Sequence, residues 1–168
     1  METSEVPSPS ESTASFARKL VLELQQAILQ HEAGAFAGNV EAVHDMRVGI
    51  RRLRVAIKNF AACFARADRQ RWRASMENLA GALGAVRDLD VMIQAMKSQR
   101  VPVANAVTEE QAVMEVFLRR LQSRRGRRLR KLQNYLHSEE YAGFKRGFSH
   151  NGKEDRPNQM EVNDEQTV

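Results

Sequence analysis

Apolar side chains recur at three- and four-residue spacing in this chain, which is the period of an α-helix that buries one face. The segments that follow this period lie near residues 15–33, 40–66, 69–97 and 108–136, and a short further segment is expected at 138–148. Only 9 glycines and 4 prolines occur in 168 residues, so few positions force a helix to stop. Strand-like segments do not alternate with the helical ones. The sequence therefore predicts an all-α, antiparallel four-helix bundle.

Residues that cap or break helices place the ends of these segments. Asn39 and Asp68 are expected to be the N-caps of the second and third helices. Thr108, with Gln111 three places later, is expected to begin the fourth. Pro102 disfavours a helix between the third and fourth segments, which we expect to be a loop.

The two ends of the chain differ in character from its middle. Residues 1–14 are rich in serine and proline, residues 149–168 are acidic, and neither stretch shows an apolar period. Such composition is typical of disordered segments. We therefore expect disordered tails at 1–14 and 149–168 around one helical domain at 15–148.

Charge and cysteine content bound the class of protein. The formal net charge is +5, and the arginines concentrate in two segments of the middle while acids concentrate in the tails, so a polyanionic partner is expected. The lone Cys63 cannot form an internal disulfide, which fits a reducing cytoplasm. No apolar run reaches the roughly 18 residues of a membrane span, and the first residues do not resemble a signal peptide. We expect a soluble, cytoplasmic protein that does not enter a membrane.

The second predicted helix carries a row of basic side chains beside its apolar face. At about 100° per residue, these side chains fall within about 80° of arc. Such a row is unfavourable on a solvated helix, because like charges at i and i+4 repel. An edge built to hold an anion is therefore preferred over an ordinary solvated face, and only Arg52 stands apart from it. We call this row the first basic stripe; it consists of Arg47, Arg51, Arg54 and Lys58.

The fourth predicted helix repeats this arrangement. Eight of the thirteen residues at 119–131 are basic, and five of them share an arc of about 100° beside the apolar sector. The planar guanidinium of arginine meets phosphate oxygens with two hydrogen bonds and stays charged at any working pH. The two helices could therefore face a common anion-binding groove. The second basic stripe consists of Arg120, Arg124, Arg127, Arg128 and Lys131.

Four further residues are candidates for this site. His44 lies at the head of the first basic stripe, where it is either a surface or capping residue or a ligand that donates to phosphate when protonated. Asp90 falls on the interior side of the third helix, so its carboxylate needs a partner, which an arginine of a basic stripe could supply. We expect Asp90 and Asp88 to orient arginines that contact the ligand. Arg87 could be such a partner or a ligand itself.

Two motifs resemble those of a known family. HDMRVGIRRLR, residues 44–54, resembles the signature H-x-x-R-V-x-x-R-R-x-R of the conserved histidine α-helical domain (CHAD) family. LGAVRDLDV, residues 83–91, resembles the L-G-x-x-R-D-x-D-V element of the same family. The resemblance covers roughly 15–148 and implies a helical domain whose central basic groove binds inorganic polyphosphate. By that likeness the signature positions are His44, Arg47, Arg51, Arg52 and Arg54 in the first motif and Arg87 in the second.

The sequence departs from this family in one respect. A full member has two bundles related by pseudo-twofold symmetry, each with its own basic signature, whereas this chain resembles the N-terminal half alone. Either the chain is a truncated relative, or two copies associate about a twofold axis to rebuild the groove. The homodimer is preferred slightly, because an isolated half would expose the apolar surface between bundles.

Non-enzymatic binding of polyphosphate is the leading hypothesis for function. Nonspecific nucleic-acid binding, above all of RNA, is an alternative that the sequence pI of about 9.8 allows, although no aromatic residues interleave the basic stripes. A truncated relative with a purely structural role is a further alternative. No phosphate-binding loop, E-x-E-x-K strand or H-E-x-x-H pair occurs, and the four histidines lack metal-site spacing. We therefore expect no enzymatic activity, metal or cofactor, and a location in the cytoplasm, either free or at polyphosphate granules.

Overall fold

The computed structural model describes residues 12–98 and 109–148, and every regular element in these ranges is helical. The all-α helical bundle is thereby confirmed. The short helix expected at 138–148 is present, whereas residues 1–11, the 99–108 connection with Thr108, and 149–168 lie outside the described residues. The helices are α1 (Thr13–Leu29), α2 (Glu32–Phe36), α3 (Val40–Asn59), α4 (Arg66–Ser98), α5 (Glu109–Leu136) and α6 (Glu139–Gly147), with a 3-10 turn at Ala61–Cys63.

The first predicted helix is in fact two helices. It was expected to run without a break over 15–33, but α1 ends at Leu29 and the five-residue α2 follows. The next turn depends on Gly38, whose φ of +79° favours glycine. Asn39 then caps α3 as predicted, because its side chain accepts a hydrogen bond from Ala42 N at 2.9 Å.

The connection between α3 and α4 also differs from expectation. The second predicted helix was expected to reach residue 66, yet α3 ends at Asn59. The 3-10 turn that follows lets the chain reverse and bury Phe64, whose ring lies edge-on to Trp72 with centroids 5.3 Å apart. The prediction that Asp68 is an N-cap was wrong, because α4 begins at Arg66 and Asp68 lies inside its first turn.

Helices α3 and α4 run antiparallel with their charged edges side by side. Arg47 lies 3.6 Å from Asp88 and Arg54 lies 3.9 Å from Glu77, so residue numbers rise along one helix as they fall along the other. Helix α5 returns along a different edge of α4, where Tyr135 Oη donates to Ser75 O at 3.2 Å. The longest helix, α4, therefore packs against both helices that carry a basic stripe.

Apolar side chains on the inner faces of α3, α4 and α5 form part of the core. The buried side of α3 is the apolar face that its sequence pattern predicts. Helix α6 closes the core with Tyr141, Phe144 and Phe148, and the Phe148 ring stacks on Trp72 with centroids 4.6 Å apart. Burying each such side chain contributes roughly 1.5–3 kcal/mol. The buried residues of α3 are Val43, Met46, Ile50, Leu53, Ala56 and Ile57.

A buried amide joins α1 to α6. Gln25 is 3% exposed, and its Nε2 donates to Phe144 O at 3.0 Å and to Lys145 O at 2.9 Å. These carbonyls belong to the end of α6, so Gln25 satisfies acceptors that α6 itself leaves free. Across residues 12–98 and 109–148, none of the helices combines the length and apolar character needed to span a bilayer.

Candidate anion-binding site

A groove of about 470 Å³ runs between the end of α3 and the start of α4. Its floor is partly apolar and its rim is basic. An anion in the groove can therefore contact basic side chains that are not all paired with a carboxylate. Three residues of the first basic stripe lie in it, as does Val55, which is 51% exposed. We call it the α3–α4 groove; its lining residues are Arg51, Arg54, Val55, Ile57, Lys58, Ala61, Arg69, Arg73 and Met76.

Two of the five basic residues in the α3–α4 groove were missed by the sequence analysis. Arg69 and Arg73 lie one turn apart on α4 and meet the first basic stripe because α4 reverses direction directly after α3. An available signal was the short connection between these helices, since it places the first turns of α4 beside Lys58. Arg69 Nε is buried and has no hydrogen-bond partner among the described residues.

Carboxylates of α4 contact the first basic stripe from the side. Arg73 Nε donates to Glu77 Oε1 at 2.9 Å, and Arg54 Nη2 lies 3.9 Å from the same oxygen. The hydrogen bond from Arg73 lowers the pKa of the Glu77 carboxyl. Asp88 Oδ1 lies 3.6 Å from Arg47 Nη1. Because these side chains are largely exposed, solvent screens each pair, and a phosphate can compete for the arginines.

The other predicted carboxylate, Asp90, has a different kind of partner. Its side chain is 2% exposed and pairs with Arg125 Nε, while Arg125 Nη2 donates to Gly38 O at 2.8 Å. Arg125 belongs to the arginine-rich segment of α5 but not to the second basic stripe, because it turns toward the interior. The position of Asp90 on the interior side of α4 is as predicted, whereas its partner is an arginine that does not face the groove.

The second basic stripe lies on the outer side of α5. Arg120, Arg124 and Arg127 line a shallow depression there together with Arg119. Lys131 is also exposed, and Arg128 is half-buried. Among the described residues, no carboxylate lies within ion-pair distance of any member of this stripe.

The outer face of α4 separates the two stripes. Glu77 and Asp88 mark the edge of α4 that meets α3, and Leu89 and Ile93 mark the edge that meets α5. At about 100° per residue, Gly81 falls on the outer face between these edges. A methyl group at Gly81 would meet no atom within 4 Å, so the described residues leave the surface around Gly81 open. The α3–α4 groove does not contain the second basic stripe, but both flank one open surface.

Three candidates, His44, Arg52 and Arg87, do not line the α3–α4 groove. His44 is half-buried near the start of α3, and Arg52 is exposed on the side of α3 away from the α3–α4 groove. Arg87 is half-buried, and its Nη1 is buried with no hydrogen-bond partner among the described residues. Within residues 12–98 and 109–148, no group of three or more His, Cys, Asp or Glu side chains could hold a metal ion.

Comparison with known proteins gives one match. The family model described as CHAD domain matches residues 19–161, which is most of the chain. No curated protein and no solved structure matches. The matched range contains both motifs, the first basic stripe and the second basic stripe.

Proposed function

Because the chain belongs to the CHAD family, which is associated in general with polyphosphate binding, we propose that it binds inorganic polyphosphate without catalysing a reaction. The polymer lies along the α3–α4 groove and continues over the outer face of α4 toward the second basic stripe. Arg69 and Arg73 join the first basic stripe, and Asp88 orients Arg47. His44 and Arg87 extend the same surface toward the start of α3.

The observation that carries this proposal is the grouping of five cationic side chains from two helices in the α3–α4 groove. Polyphosphate has a charge on every repeating unit and no base or sugar, so a binding site needs closely spaced cations and no stacking surface. Arginine forks fit such a ligand. Release of condensed counterions then supplies much of the affinity, which falls steeply as salt is raised.

Nonspecific RNA binding is the competing function. The same cations would hold an RNA backbone, but the lining of the α3–α4 groove includes no aromatic side chain on which bases could stack. A truncated relative with a purely structural role would instead bind no polyanion. RNA binding therefore predicts that RNA competes for the site, whereas a structural role predicts that no polyanion binds.

A competition titration tests the proposal. Labelled long-chain polyphosphate is displaced by RNA, duplex DNA or short phosphates at near-physiological salt. We expect tight binding for which RNA and DNA compete poorly. Equal competition by RNA would favour nucleic-acid binding, and the absence of binding would favour the structural role.

A pair of matched variants locates the site. Arg51→Glu/Lys58→Glu reverses two charges in the α3–α4 groove and breaks no ion pair among the described residues. Lys19→Glu/Arg146→Glu makes the same change in net charge on α1 and α6; it removes the ion pair of Arg146 with Glu139, which is fully on the surface and contributes little to stability. We expect loss of polyphosphate affinity in the groove variant only, with both proteins keeping their helical circular dichroism. Equal weakening by both variants would show that net charge, and not the α3–α4 groove, determines binding.

We also propose that the protein acts as a homodimer in the cytoplasm, where polyphosphate granules are a natural location for it. A second copy doubles the number of basic stripes available to one long polymer. A fluorescent fusion of the chain would co-localise with stained polyphosphate, and the Arg51→Glu/Lys58→Glu variant would be diffuse. A wild-type fusion that stays diffuse in cells containing granules would contradict this location.

A further inference from the structure

The first half of α5 exposes an unusual amount of apolar surface. Val113 is 65% exposed, Phe117 52% and Val116 42%. No side chain of α5 is buried between Glu109 and Arg120. Large apolar groups gathered in this way usually mark an interaction surface.

Among the residues that the structure describes, the buried apolar contacts of this part of α5 are with the far end of α4. The two helices share a small cluster of Leu89, Ile93 and Leu121 that is separate from the main core. Beside it, Met92 is 53% exposed and lies one turn before Met96 on α4. The end of the α4–α5 hairpin therefore extends beyond the main core, and no described residue covers one of its apolar sides.

Side chains of both helices form a depression on this side of the hairpin. This depression of about 530 Å³ is bordered by apolar side chains of both helices and by two carboxylates at the start of α5. We call this surface, together with the neighbouring Met92 and Val116, the hairpin patch. The residues that line the depression are Met96, Glu109, Glu110, Val113, Met114 and Phe117.

Charges along α5 make the hairpin patch complementary to itself. One face of α5 is acidic at Glu109, apolar from Val113 to Phe117, and basic at Arg120 and Arg124. If two such helices pair antiparallel about a point between Val116 and Phe117, Glu109 of each lies opposite Arg124 of the other. Val116 of each copy then lies opposite Phe117 of the other, Val113 lies opposite the aliphatic part of the Arg120 side chain, and the pairing is closed by a twofold axis.

We propose that a second copy of this chain covers the hairpin patch, through antiparallel pairing of the two α5 helices on a twofold axis. The two hairpins then form a four-helix contact whose centre is Phe117 and whose rim carries the Glu109 and Arg124 pairs. This inference specifies the interface of the proposed homodimer. It does not depend on polyphosphate, because the surface is apolar and self-complementary without a ligand.

The arrangement also changes the role of the second basic stripe. Arg124 would be paired across the interface, whereas Arg127, Arg128 and Lys131 would remain free in both copies. They extend away from the twofold axis in opposite directions, so one long polyanion could contact both copies across the interface.

Charge-reversal variants test whether a second copy of the chain makes this contact. In sedimentation equilibrium without polyphosphate, the wild type is expected to dimerise. Glu109→Arg and Arg124→Glu alone each place like charges opposite each other at two symmetric points, which weakens dimerisation by roughly tenfold. The double variant, and an equimolar mixture of the two single variants, restore it because opposite charges meet again.

The apolar centre is tested separately with Phe117→Glu, which should weaken dimerisation by about a hundredfold or more. Phe117 is half-exposed, so the variant should keep its helical circular dichroism. A wild type that stays monomeric at all concentrations would overturn the proposal. So would single charge variants that dimerise like the wild type, or a mixture that fails to restore dimers. Polyphosphate titration of Phe117→Glu, which keeps every basic side chain, reports on the proposed function separately from dimerisation.

Discussion

Arg125 ties the buried carboxylate of Asp90 to the turn before α3, because its Nε donates to Asp90 and its Nη2 donates to Gly38 O at 2.8 Å. One guanidinium thus fixes α5 to α4 and to the end of the α2–α3 connection. The side chain of Leu129 also packs on this turn, and its Cδ2 would lie 2.6 Å from a Cβ at Gly38. This contact region therefore helps to fix the second basic stripe relative to the first.

Removing the carboxylate should be costly for the fold. Asp90→Ala leaves the Arg125 guanidinium, whose side chain is only 19% exposed, without its charged partner. Breaking a buried pair usually costs 3–5 kcal/mol, and partial access of Arg125 to water reduces this to about 2–4 kcal/mol. Urea unfolding measures the loss. A loss below about 1 kcal/mol would mean that Arg125 finds water or another acceptor without strain.

Two adjacent arginines should differ in their contribution to binding. Arg51 lines the α3–α4 groove, whereas Arg52 is exposed on the other side of α3. Arg51→Ala should lower the slope of log affinity for polyphosphate against log salt by about 1, and Arg52→Ala by much less. Equal effects of these matched variants would contradict the orientation of the site.

Two glycines within helices should respond to alanine in opposite directions. A Cβ at Gly49 would lie 2.6 Å from Ile28 Cγ1, whereas one at Gly81 would meet nothing within 4 Å. Gly81→Ala should stabilise the protein by about 0.5–1 kcal/mol through helix propensity. Gly49→Ala should destabilise it, because overpacking costs about 1–3 kcal/mol. Thermal unfolding of both variants tests this, and stabilisation at both positions would show that α1 moves away from α3 easily.

Alkaline pH should destabilise the protein through Tyr141. Its ring is fully buried, its Oη lies 3.1 Å from Glu32 Oε2, and burial raises the pKa of its phenol well above the ordinary value. The unfolded chain loses this proton near pH 10 while the folded chain keeps it, so stability is unaffected below that pH and falls above it. The loss approaches about 1.4 kcal/mol per pH unit.

The control for this effect is Tyr141→Phe. The variant loses the hydrogen bond to Glu32 at every pH, but the free energy of unfolding should decline less steeply between about pH 10 and 11. Urea unfolding across that range compares the two proteins. Parallel curves for wild type and variant would assign the alkaline loss to other groups.

Periodicity in the sequence predicted those features that depend on one helix at a time. The spacing of Ile50 and Leu53 identified the buried face of α3, and the interior side of Asp90 followed from the same reasoning. Local capping chemistry identified Asn39 correctly. It failed at Asp68, because the chain enters α4 two residues earlier and the carboxylate instead pairs with Arg71 at 2.9 Å.

Features that depend on how two helices pack were harder to predict from the sequence. Arg69 and Arg73 enter the α3–α4 groove only because α4 reverses beside α3, and no property of their own segment shows it. The partner of Asp90 could not be chosen among eight basic residues of α5, since the choice depends on the rotation of α5 about its axis. The break after Leu29 was missed because α2 continues the apolar pattern without a glycine or proline between them.

The contact between Gln25 and the end of α6 also constrains when this chain can fold during synthesis. The groups it joins are 119 and 120 residues apart in sequence. A ribosome adds residues at about 5–20 per second, so α1 and α3 exist for several seconds before Phe144 and Phe148 emerge. Until then the pocket for these rings, including Trp72, stays open to solvent. The nascent chain is therefore most vulnerable to aggregation and to chaperone capture immediately before α6 leaves the ribosome.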